Sequence, residues 1–101
     1  MILRIWHGRV PTTKAPAYRE FLNERAIPDY QSIPGNLGVQ ILERGEGDIT
    51  HFMTLSTWES METIQGFAGE NPEAAKYYPE DKDFLLEYEP QVVHYTIVGS
   101  S

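Results

Sequence analysis

The sequence predicts an α+β fold, a split βαββαβ sandwich whose four strands form one antiparallel sheet with both helices on one face. Three observations carry that reading. Alternating side chains recur over residues 2–10, 37–44 and 49–58, the period of strands. Helical spacing separates the first two runs and follows the third. The third run ends at Thr57-Trp58-Glu59-Ser60, where a strand passes into a helix start with no loop between them.

Residues 2–10 set Ile2, Arg4, Trp6 and Gly8 against Leu3, Ile5, His7 and Arg9, so neither face of this strand is purely polar. Pro11-Thr12-Thr13 breaks it, with Thr12 or Thr13 able to cap a helix whose first turn tolerates Pro16. Tyr18, Phe21, Leu22, Arg25 and Ala26 recur at helical spacing, and the helix frays or kinks at Pro28 and is over by Ser32. Pro34-Gly35-Asn36 is a turn. The second strand carries Val39, Ile41 and Leu42 inward, and Gly45-Glu46-Gly47-Asp48 is a hairpin turn into the third. Ser60 caps a helix with Met61, Ile64, Phe67 and Ala68 as its stripe, ended by Gly69. Asn71-Pro72 starts a further short helix running to Pro79, and Phe84-Leu85-Leu86 is another helical turn. A β-branched strand over residues 92–98 closes the chain before a loose tail at 99–101.

At 101 residues the chain is expected to be one domain, with its core over 2–98, because two halves would each be too small to bury a useful core. It has no cysteine, which removes disulfides, thiolate zinc sites and Cys nucleophiles together. A formal net charge of −7 with only eight basic residues counts against nucleic acid. Arg4, Arg9, Arg19, Arg25 and Arg44 are expected at the surface, solvated or salt-bridged. No apolar run is long enough for a membrane span and no signal-peptide pattern follows Met1, so the chain reads as cytoplasmic, without a membrane partner. Ile2, Trp6 and Met53 or Phe52 are too apolar to face water across a sheet, so a homodimer packing sheet to sheet is expected.

With this layout, the chain resembles the antibiotic biosynthesis monooxygenase family, whose members are ferredoxin-like dimeric α/β barrels. The resemblance runs from Ile2 to Val98. It rests on Leu3-Arg4-Ile5-Trp6-His7, Ile33-Pro34-Gly35-Asn36-Leu37-Gly38, Leu55-Ser56-Thr57-Trp58-Glu59-Ser60 and Val93-His94-Tyr95-Thr96-Ile97. It implies either a monooxygenase of phenols and quinols that uses no cofactor, or a haem-degrading enzyme, and it also covers members with no assigned activity. Haem degraders of this family have an Asn on the first strand, a Trp near the second helix and a ligating His about ten residues on. Stepping without gaps from Trp58, those places fall on His7, Phe67 and Tyr77, and all three depart from the pattern. Tyr can still ligate ferric haem.

A cofactor-free oxygenase needs aromatic walls, one base and exclusion of water. The expected arrangement is one pocket per subunit between sheet and helices, for an aromatic small molecule. His7 is the expected general base, Tyr77 or Tyr78 a hydroxyl donor, Trp58 and Phe67 the walls, and His94 a further lining residue. Each has a plain structural alternative: a core imidazole bonded to backbone, or a ring packed at a strand end. Whether His7 and His94 share a face depends on a register that sequence does not give. No metal site is expected, because no His-x-x-x-His spacing occurs. His51, near the hairpin, is expected to be partly exposed, and the acidic run Glu80-Asp81, Asp83, Glu87, Glu89 to be a solvated face. The rival reading from another class is a non-catalytic dimeric binding or interaction protein whose pocket is filled by core side chains.

Overall fold

The computed structural model describes all 101 residues. Its strands are β1 (Ile2–Pro11), β2 (Asn36–Glu46), β3 (Ile49–Trp58) and β4 (Val93–Thr96), in the spatial order β2-β3-β1-β4 with every neighbouring pair antiparallel. Helical chain connects β1 to β2 through α1 (Ala15–Phe21), a π-helical turn (Leu22–Ala26) and α2 (Ile27–Gln31). The second helix, α3 (Met61–Ala68), starts directly after β3. The predicted βαββαβ sandwich is the observed fold, with the helices on one face of the sheet.

Side-chain alternation decides that face. On β3, Phe52, Thr54, Ser56 and Trp58 are buried against the helices, and their register partners Gly8, Trp6, Arg4 and Ile2 on β1 share that side. The opposite face carries Leu3, Ile5, His7 and Arg9 of β1 beside Thr57, Leu55, Met53 and His51 of β3. Of the residues expected to cover a partner sheet, only Met53 lies on this open face. Trp6 and Phe52 are core, and Ile2 packs against it. Leu42 likewise turns outward, opposite Met53, whereas Val39 and Ile41 pack against the core.

Ser60 caps α3 as expected, in a reciprocal capping box with Thr63. Gly35 adopts φ +93° beneath it, and a Cβ there would lie 2.3 Å from the Thr63 side chain, so only glycine fits this close approach. Between α1 and α2 the Ile27 N–H reaches back five residues to the Leu22 carbonyl. Pro28, just beyond, has no N–H to give and would crowd the carbonyl four residues earlier, and the wider turn relieves that conflict. The helix therefore continues through Pro28 to Gln31.

Two expected helical pieces are absent. Residues 70–78 are irregular, because their backbone groups are engaged elsewhere. Arg4 donates from Nη1 to the Pro72 carbonyl and from Nη2 to the Ala74 carbonyl at 3.0 Å. Ala75 N–H bonds to Pro90 O, and Val92 N–H to Glu73 O. The short 3-10 turn after this segment spans Pro79–Asp83, ahead of the expected Phe84-Leu85-Leu86.

Candidate functional site

Arg4 is the group that orders the cover of the site. The sequence reading put it at the surface, yet it is 1% exposed. Its guanidinium holds the two carbonyls of the 70–78 segment and lies 5.7 Å from the centre of the Phe67 ring. His94, its register partner on β4, faces it with Nε2 at 3.2 Å from Nη1. A guanidinium only donates, so His94 accepts through Nε2 and carries its proton on Nδ1. Burial, then the adjacent Arg4 charge, pushes the His94 imidazole below its ordinary pKa and keeps it neutral. His94 and His7 therefore stand on opposite faces of the sheet, and no site unites them.

Between the sheet and the helices lies a crevice walled by Trp6, Tyr30, Phe67, Tyr78, Lys76 and Asp81. Tyr30 stacks on Phe67 at 4.2 Å between ring centres, and the Tyr30 hydroxyl meets Thr54 Oγ1 at 3.0 Å. The Lys76 ammonium is 4.2 Å from the centre of the Phe67 ring and 3.0 Å from Asp29 Oδ2. Tyr78 donates its hydroxyl to the same Asp29 oxygen at 2.6 Å. Asp81, 2% exposed, accepts the Tyr18 hydroxyl on Oδ1 at 2.9 Å and the Tyr78 N–H on Oδ2 at 2.7 Å. The free space is about 10 Å³, room for about one water. Trp6 Nε1 is buried and makes no hydrogen bond of good geometry.

Burial is the largest influence on the ionisable groups here, and it acts against charge. It raises Asp81 above the usual carboxylate range, more than its two hydrogen bonds lower it. Asp29 is also pushed up by burial, but the Tyr78 and Lys76 contacts together outweigh that and leave it below its ordinary value. Burial lifts Tyr18 and Tyr78 well above the phenol range, so both stay protonated as donors.

The expected site residues fall into three places. Phe67 and Tyr78 line the crevice. Trp58 and Tyr77 do not: Trp58 is fully buried core whose indole donates to Ser56 Oγ at 2.9 Å. Tyr77 donates its hydroxyl to the Glu89 carbonyl and stacks on Tyr88 at 4.6 Å. Burial, then Glu89, pushes the Tyr77 phenol up to about 12. His7 is on the open face, so it is no base for this crevice. The strand presents Trp6 there instead, since adjacent residues of a strand point to opposite faces.

His7 belongs to a second group. Its Nε2 lies 2.9 Å from His51 Nδ1, and its Nδ1 lies 2.5 Å from Glu89 Oε2. A groove of about 270 Å³ runs beside it, lined by Leu42, Glu43, Arg44 and Met53. His51 is half-buried, as expected. No three His, Cys, Asp or Glu side chains converge as a metal set.

Sequence reading missed Lys76, Asp81, Tyr30 and Asp29. The acidic run expected as a solvated face contains the buried Asp81, and its Glu87 and Glu89 pair with Arg9 and His7. The available signal was Tyr30, which continues the four-residue spacing Tyr18, Leu22, Ala26.

No family model and no curated protein matches the chain. Solved structures do match it in shape. A Nitrosomonas europaea protein assigned by name to the antibiotic biosynthesis monooxygenases superposes with a TM-score of 0.72 at 18% identity, covering 98% of this chain and 100% of that one. The haem degrader MhuD of Mycobacterium tuberculosis, with two haems bound in its active site, gives 0.68 at 22% identity over 100% and 99%. A Bacillus cereus protein, also assigned by name to those monooxygenases, gives 0.64 at 16% identity over 100% and 94%. These likenesses establish the ferredoxin-like α+β fold of the single chain.

Haem does not fit the residues here. The free space of about 10 Å³ admits no ring until the cover moves, so the donor set and not the volume decides. Tyr77, at the expected ligand position, is off the crevice wall and already donates its hydroxyl.

Proposed function

We propose that the chain forms a homodimer and takes up a small phenol or hydroquinone in the crevice over Trp6 and Phe67, oxidising it with dioxygen without a cofactor. One observation carries the reading. An aromatic crevice holds an ammonium, Lys76, together with a buried carboxyl of raised proton affinity, Asp81. A phenol ring would stack among Tyr30, Phe67 and Trp6. Lys76 would favour its phenolate oxygen, and Asp81 is the nearest base in place of His7. An electron-rich phenolate gives an electron to dioxygen. At the ring carbon para to that oxygen one oxygen atom then enters as C=O and the other leaves as water, so the phenol becomes a quinone, the ring C–H and the O–H supplying both protons and the ring both electrons.

The tight filling of the crevice requires its cover to move on entry. That cover, residues 70–78, is irregular chain held by Arg4 and by two backbone bonds with residues 90–92, fewer ties than a sheet ladder has, and it opens at lower cost than the sheet. The same tight filling favours a second reading, a non-catalytic dimeric binding or interaction protein whose crevice is core. The dimer itself is supported by the open sheet face, where Leu3, Ile5, Leu42, Met53, Leu55 and Tyr95 form one apolar surface.

Oxygen uptake with a panel of hydroquinones and anthrones, preceded by quenching of tryptophan fluorescence by the same compounds, separates the readings. Uptake above background that falls about 100-fold in Asp81→Asn, and falls also in Lys76→Met, is the expected result. Quenching without uptake leaves the binding protein, and neither quenching nor uptake overturns the phenol reading.

A further inference from the structure

Four titratable side chains stand in line on the open sheet face: Glu89, His7, His51 and Glu46. The contacts are Glu89 Oε2 to His7 Nδ1 at 2.5 Å, His7 Nε2 to His51 Nδ1 at 2.9 Å, and His51 Nε2 to Glu46 Oε1 at 3.1 Å. They come from separate parts of the chain, β1, β3, the end of β2 and the segment before β4. The ring centres are 5.2 Å apart with planes inclined by 28°, so the facing nitrogens lie between them and the imidazoles meet edge to edge.

Counting protons shows what this line requires. Three contacts need three N–H groups, because carboxylates only accept and one of the two facing nitrogens must donate. Two neutral imidazoles supply two. Each contact is made only when the pair carries one extra proton, as an imidazole and an imidazolium clamped between two carboxylates. Remove that proton and either two lone pairs face each other at 2.9 Å or one carboxylate loses its donor. Add a second and two N–H groups point at each other. A metal ion does not replace the proton in this geometry. Two imidazoles bound head-on at ~2.0–2.1 Å each would stand about 4 Å apart.

We propose that His7 and His51 share one proton, and that this proton gates self-association of the chain through its open sheet face. The inference rests on the homodimer reading above. The pair sits among the residues that a partner sheet would cover, with Met53 and Leu42 beside it in the same groove. On this face the unsatisfied states would be taken out of water on association, where an unmatched polar contact costs most. Of the other charged groups around the pair, Arg9 of β1 bonds Glu87 and Glu43 of β2 bonds Arg19, while Arg44 shares the Glu46 carboxylate with His51. The imidazole pair is thus the element of this face whose hydrogen bonds depend on its own proton count.

Sedimentation of the full chain from pH 5 to 8.5 tests this. The dimer dissociation constant is expected to pass through a minimum, rising on each side with a limiting slope of about 100-fold per pH unit, one proton for each of two chains. His51→Gln and His7→Gln, each unable to hold the shared proton, are expected to flatten the profile. Nitrogen-15 spectra of the imidazoles at the minimum provide a second readout, with three of the four ring nitrogens protonated. A dimer whose affinity is flat across this range, or two protonated nitrogens at the minimum, overturns the switch alone. A chain that stays monomeric at every pH, down to dilutions where circular dichroism confirms it is folded, overturns the homodimer reading and the switch with it.

Discussion

The indole of Trp6 lies over Gly8: a Cβ at position 8 would come within 2.6 Å of Trp6 Cη2 and 2.8 Å of Leu85 Cδ2. Trp6 is therefore placed by what its second neighbour lacks. Gly8→Ala is expected to displace the ring from the crevice wall and to destabilise the fold by ~1–3 kcal/mol, the range for overpacking a closed core. Urea denaturation gives the loss, and a shifted tryptophan emission maximum in the folded variant reports the ring. An unchanged emission and midpoint would show that the ring moves aside freely.

Arg4 ties the 70–78 segment to the sheet from within. Arg4→Met keeps much of the side chain's length but leaves the Pro72 and Ala74 carbonyls without their donor, at a cost of ~1–3 kcal/mol for each buried group left unpaired. Hydrogen exchange is expected to speed up selectively at the Ala75 and Val92 amides, which pair residues 73–75 with 90–92, before the β1–β3 ladder is affected. Uniform acceleration across the sheet would instead make Arg4 a support of the whole core.

Asp29 and Asp81 oppose each other in acid. Asp29 has its pKa lowered in the fold, so the stability it contributes is present above its unfolded value and is lost as pH falls through the folded one. Asp81 has its pKa raised. Its contribution is present in the protonated state and is lost as pH climbs from the unfolded value through the folded one. Urea midpoints from pH 2 to 7 are expected to fall less steeply with acid in Asp29→Asn than in the native chain. In Asp81→Asn the fall should be steeper, since the opposing contribution is gone. Parallel curves for all three proteins would show that neither carboxyl is coupled to folding.

Trp58 serves the core and not the crevice. Trp58→Phe removes the bond to Ser56 and part of a fully buried ring, and is expected to cost ~2–3 kcal/mol. Phenol quenching of Trp6 should then titrate with the native dissociation constant. A weakened ligand affinity in this variant would return Trp58 to the binding wall.

The fold was legible because its signals are local and redundant. The N-cap at Ser60, the hairpin at Gly47 and the alternation along β3 each name their element without help from the rest of the chain. The face of β1 was not legible, since Leu3 and Ile5 on one side match Ile2 and Trp6 on the other in hydrophobicity. One position of parity moved His7 from the crevice to the open face and brought Trp6 into its place. The 70–78 segment was misread for a different reason. Asn71-Pro72 is a good helix start, but a guanidinium 68 residues away in sequence takes the carbonyls that a helix would use. Arg4 itself looked like surface because an arginine on a mixed strand gives no sign of the carbonyls it will meet. Asp81 was hidden inside an acidic run, and nothing in Ala75-Lys76-Tyr77 marks the ring that Lys76 meets.

The π turn sets the rotational phase of the helix that follows it. The buried residues along this helical stretch are Tyr18, Leu22, Ala26 and Tyr30, a spacing of four, whereas a regular α-helix precesses by about 40° every four residues. Three such steps would swing Tyr30 about 120° out of line with Tyr18. Because the turn at Leu22–Ala26 holds more residues per revolution, it cancels much of that precession and brings both phenols to bear on the sheet. Pro28 thus acts as a phase corrector. A chain with Ala at position 28 would be free to wind regularly, and Tyr30 would then turn away from Thr54 and Phe67 with no contact residue of its own altered.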